Sequence, residues 1–82
     1  MTIPDADILA CYRRVFEDSE PADEMRDTAI VDEMRQVIDA PNVAVAVLKC
    51  CDWWGVWRPE QRAVIRQRIH RIRRWAKRRI TT

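Results

Sequence analysis

The sequence predicts an all-α protein, a compact bundle of about four helices. Three observations carry this. The 82-residue chain holds one glycine and four prolines, too few turn formers for a many-stranded sheet. Those breakers fall between apolar stretches, not inside them. Within the stretches, apolar residues recur at helical spacing. A chain of this length forms a single domain with a modest core.

The first helix is expected over 5–18. Pro4 and Asp5 suit a helix start, where acids meet the positive end of the dipole. Ile8, Leu9, Tyr12, Val15 and Phe16 share one arc at 100° steps. Ser19-Glu20-Pro21 ends it. The second helix spans 22–39, with Ile30, Met34, Val37 and Ile38 on its apolar face and Asp39-Ala40-Pro41-Asn42 as the next break. The third segment, 42–54, is ambiguous. Val43, Val45 and Val47 alternate with alanines, the pattern of a strand over 43–48. A lone strand needs a partner, which only a second copy in a homodimer supplies. The helical reading is favoured, because Pro41 sits at its first turn and the sole glycine, Gly55, follows its last, where a left-handed cap is wanted.

The fourth helix, 59–80, starts at Pro59. Val64, Ile65, Ile69, Ile72, Trp75, Ala76 and Ile80 share an arc of roughly 160° by the 3.6-residue repeat. The opposite arc holds Arg66, His70, Arg71, Arg73, Arg74, Lys77 and Arg78. Arg68 and Arg79 fall inside the apolar arc, so their stems must snorkel or meet acids.

The net charge of +2 conceals a dipole along the chain. Residues 1–40 carry eleven acids against four arginines, a net of −7, and residues 41–82 carry two lysines and nine arginines against two acids, a net of +9. Such asymmetry points to a charged partner. Arginine forks match phosphate geometry. Arg66, Arg71, Arg73, Arg74, Lys77 and Arg78 are therefore the candidate contacts to nucleic acid or a nucleoprotein complex. The competing reading lays the basic helix on the acidic ones, where it neutralises itself. Binding at a membrane surface through Trp75 and the basic arc is disfavoured, since the apolar arc is needed for the core. Residues 31–49 have helix-turn-helix spacing, but the second helix offers Val and Ala with only Asn42 and Lys49, a poor base reader.

The segment CCDWWGVW, residues 50–57, concentrates three of four tryptophans and two of three cysteines. A structural zinc site needs four ligands, often as spaced pairs. Cys11, the adjacent Cys50 and Cys51, and the single His70 do not supply that pattern, so the cysteines are read as small buried hydrophobes. No metal, cofactor or catalytic residue is assigned: there is one histidine, no phosphate loop and no triad. The expectation is a non-enzymatic protein. Trp53, Trp54 and Trp57 have two readings, a core corner or a protein interface. Adjacent Trp53 and Trp54 cannot both face inward on a helix, so at least one is expected to be partly exposed. The second functional reading is accordingly a protein-binding inhibitor or adaptor of phage or mobile-element accessory type, using its acidic helices or an exposed Trp against a larger host protein. The cysteine usage suits a reduced, cytoplasmic setting. The N-terminus MTIPDADIL has no basic, apolar leader, and no stretch reaches 18 apolar residues.

Overall fold

Four helices follow one another in a computed structural model that describes residues 2–81: α1 (Asp5–Val15), α2 (Glu24–Asp39), α3 (Val43–Trp54) and α4 (Pro59–Thr81). Local chemistry sets the boundaries. The Asp23 carboxylate accepts the Arg26 N–H at 3.1 Å and starts α2. The Asn42 side chain accepts the Val45 N–H at 3.0 Å and starts α3, each satisfying one of the orphan donors of a first turn. Residues 43–48 are therefore helical, and no strand occurs among the described residues. The valine alternation yields to the caps at either end and to the burial of Ala46, Val47, Cys50 and Cys51 on one side.

Helix α1 ends at Val15 and not at 18. Glu17 adopts a left-handed conformation, φ 53°. The Asp18 N–H then reaches back to the Arg13 carbonyl at 2.9 Å, the six-to-one bond of a Schellman motif. The same motif closes α3. There Gly55 has φ 64° and the Val56 N–H donates to the Cys51 carbonyl at 2.9 Å. Nothing lies within 4 Å of where a Cβ on Gly55 would sit, so the dihedral alone calls for glycine there.

The packing is antiparallel where side-chain pairs report it. Arg13 with Asp27 and Arg35 with Asp5 run α1 against α2. Trp54 with Glu33 runs α2 against α3. Asp7 with Arg79 at one end and Phe16 with Arg68 at the other run α1 against α4. One hydrophobic cluster joins all four helices. Met34, Val37, Ala46, Cys50, Cys51 and Ile69 are wholly removed from water, and no polar or charged residue is buried among the described residues. Of the predicted α4 arc, Ile65, Ile69, Ile72 and Ala76 are buried, whereas Val64 and Ile80 stay about half exposed. At 1.5 Å per residue α4 is roughly 34 Å long, matching the longest dimension of the molecule, 34 Å.

The two Schellman motifs predict opposite effects of mutation. Glu17→Gly removes a left-handed penalty and raises stability by about 0.5–1 kcal/mol. Gly55→Ala introduces one and lowers stability by about 1–2 kcal/mol. Urea midpoints at unchanged slope read both.

Candidate nucleic-acid interface

Burying Ile65, Ile69, Ile72 and Ala76 leaves the rest of the α4 circumference to water. Arg66, His70, Arg71, Arg74, Lys77 and Arg78 are all exposed. From Arg66 to Arg78 the stripe is roughly 18 Å long at the helical rise. Arg68 and Arg79 behave as snorkelling residues. Arg68 lies 5.4 Å from the centre of the Phe16 ring. Arg79 lies 5.5 Å from that of Trp75 and pairs with Asp7.

Arg73 is the member of the predicted set that turns away from the stripe. Its Nη1 donates to the carbonyls of Val37 at 2.8 Å and Ala40 at 2.9 Å, with Ile38 at 3.5 Å. Helix α2 needs this. It has no basic residue in its last turn, and Ala40 is extended (φ −60°, ψ 145°), as a residue before proline prefers, so α2 cannot close with a left-handed cap of its own. A cation from α4 meets the negative end of the α2 dipole and its orphan carbonyls.

Three acids of the N-terminal half, Asp5, Asp18 and Asp27, are paired with arginines of that same half. Among the described residues, ion pairs join Arg13 to Asp27, Arg26 to Asp18 and Arg35 to Asp5, all within the N-terminal half, and Arg79 to Asp7. The hydrogen bond from Arg26 holds the Asp18 carboxyl below the usual carboxylate range, helped by the Glu20 backbone N–H. Arg66, Arg71 and Arg74 make no ion pair among the described residues. Arg66, Arg71 and Arg74 thus keep their charge toward solvent.

Two grooves flank it. On the α2 side, a hollow of about 440 Å³ has Ile38, Ala76 and Ile80 among its lining, with His70, Arg73, Arg74 and Lys77. On the α1 side, a groove of about 260 Å³ is lined by Cys11, Arg14, Val15, Arg71, Arg74, Trp75 and Arg78. Arg14 is the residue sequence reasoning missed. It sits in the acidic half, and only the antiparallel pairing of α1 with α4 brings it to the basic face. A local signal exists in hindsight: Arg14 lies three residues after the core residue Cys11, on the edge of the buried stripe.

The chain matches no protein-family model, no curated protein and no solved structure.

The segment 50–57 divides into a core part and an exposed end. Cys50 and Cys51 are free and buried, as is Cys11. Burial, then the nearby Glu33 charge, pushes the Cys50 thiol up to about 12, so it stays protonated at neutral pH. Burial also raises Cys11, against the pull of Arg14 and Arg71. Trp54 is half-buried and closes a corner. Its indole N–H donates to Glu33 Oε2 at 3.1 Å, and its ring stands edge-on to Phe16 at 5.3 Å and Tyr12 at 6.5 Å. Trp53 also packs on the core, half-buried. Trp57, in the α3–α4 connection, is 58% exposed.

Arg73 and Arg74, adjacent in sequence, are expected to respond differently to mutation. Arg73→Met removes the cap of α2 and costs about 1–3 kcal/mol. Arg74→Met changes stability by no more than about 0.5 kcal/mol. Chemical denaturation of the two variants side by side checks this.

Proposed function

We propose that this is a small non-enzymatic binding protein that contacts nucleic acid, or the nucleic-acid part of a nucleoprotein complex, through the outer face of α4. The observation that carries the reading is charge left uncompensated on one helix face. Arg66, Arg71 and Arg74 are exposed and make no ion pair among the described residues, while Asp27, Asp18, Asp5 and Asp7 are held by Arg13, Arg26, Arg35 and Arg79. Planar guanidinium forks on a roughly 18 Å line suit a row of backbone phosphates, which they grip in bidentate fashion. Arg73 is removed from the candidate contacts, since its guanidinium is occupied by the end of α2.

A second reading rests on Trp57, the most exposed aromatic that the structure places outside the core. A large apolar ring on a connection between helices suits an anchor in a partner's pocket. In this reading the protein is an inhibitor or adaptor acting on a larger protein. The two separate by salt. A phosphate contact weakens steeply, with a log–log slope of about −0.7 per phosphate on single strands and −0.9 on duplex. A tryptophan anchor does not.

Fluorescence anisotropy with a labelled duplex and a labelled single strand tests the first reading. Binding is expected to fall by orders of magnitude between low and physiological salt. The triple reversal Arg66→Glu, Arg71→Glu, Arg74→Glu is expected to abolish it, while Trp57→Ala leaves it unchanged. Binding that survives the triple reversal refutes the reading.

A further inference from the structure

We infer that the groove between α1 and α4 is a seat for a backbone phosphate, and that Arg14 is part of it. This deepens the reading above and rests on it.

The lining has an unusual charge balance. Four guanidiniums, those of Arg14, Arg71, Arg74 and Arg78, border the groove, and no carboxylate does. The α4 members sit at i, i+3 and i+7, so they share one face. Arg14 faces them from the antiparallel helix. The floor is apolar: Cys11 and Val15 are 1% and 4% exposed, and half-buried Trp75 forms part of the wall. Arg14 and Arg71 thus border the same groove from opposite helices, with Cys11 between them in its lining.

Arg14, Arg71 and Arg74 make no ion pair among the described residues, and gathering like charges costs the fold energy unless an anion answers them. The other three arginines of the N-terminal half, Arg13, Arg26 and Arg35, each hold an acid. Arg14 makes no ion pair among the described residues and points its charge at the groove. A phosphate oxygen answers this arrangement well. Guanidinium forks bind it in pairs, and a low-dielectric floor strengthens each contact. No Asn or Gln lines the groove to read an adenine edge, so the seat fixes the register of a backbone and does not select sequence.

The test uses the full chain and a fluorescein-labelled 20-nucleotide oligo-dT, with affinity followed against salt. Arg14→Gln is expected to weaken binding about 3- to 10-fold and to flatten the log–log salt slope by about 0.7, the value for one lost contact on a single strand. Arg58→Gln removes the same charge from the α3–α4 connection, thirteen residues before Arg71, and is expected to leave both unchanged. If Arg14→Gln behaves like Arg58→Gln while Arg71→Gln and Arg74→Gln weaken binding, the groove is not the seat but the α4 reading stands. If none of the four weakens binding, both fall. A second measurement needs no variant. Sodium pyrophosphate, titrated into the wild-type protein at constant ionic strength, is expected to shift the backbone amide resonances of residues 11–15 and 71–78. Shifts confined to other residues overturn the proposal.

Discussion

Ile65, Ile69, Ile72 and Ala76 must leave water, and α4 has one stripe on which to hide them. That constraint organises the molecule. A 23-residue helix with a stripe of four buried residues needs cover along much of its length. Helices α1, α2 and α3 are all shorter, so each covers part. The same rotation that turns these residues inward turns Arg66, Arg71, Arg74 and Arg78 outward. Core and charged face are consequently one feature of the 3.6-residue repeat, and a change that moved one would move the other.

The distribution of ion pairs shapes the charge on the outer face. Exposed pairs contribute little to stability, about 0–1 kcal/mol each. Their consequence here is for the field around the molecule. By tying Asp27, Asp18 and Asp5 to arginines of the same half, the fold keeps these acids from quenching α4. Arg79 meets Asp7, and Arg73 serves the end of α2. What remains on the solvent side is a concentrated row of guanidiniums with a recess beside it.

The four helices could be read from the sequence because breakers and period agreed at most junctions. Gly55 was recognisable as a left-handed cap, since the only glycine stood after an apolar run. Glu17 was not, because a non-glycine in that conformation leaves no compositional mark, and α1 stops three residues early as a result. Val43, Val45 and Val47 imitated a strand; the deciding caps at Asn42 and Gly55 are local and outweigh the alternation. The exposed members of the basic arc were visible from the wheel alone. The duty of Arg73 was not, because it depends on where the C-terminus of α2 lands across the bundle. Arg14 was hidden for the same reason: its neighbours in sequence are acidic and apolar, and its neighbours in space are arginines. Trp54 is legible in half. That Trp53 or Trp54 is partly exposed follows from their adjacency on a helix, but the bond of Trp54 to Glu33 is tertiary.

The central claim is that the outer face of α4 carries charge the fold does not neutralise. Thermal melting of the Arg71→Gln, Arg74→Gln double variant against wild type tests it directly, since Gln and Arg have similar helix propensity. The comparison is made at about 0.01 M and about 0.15 M salt, where the screening lengths are roughly 30 Å and 8 Å. Relief of like-charge repulsion predicts that the variant melts higher than wild type at low salt, and that the gap closes at the higher salt. A variant that melts lower at low salt would show that these arginines are held by acids, and would contradict the account.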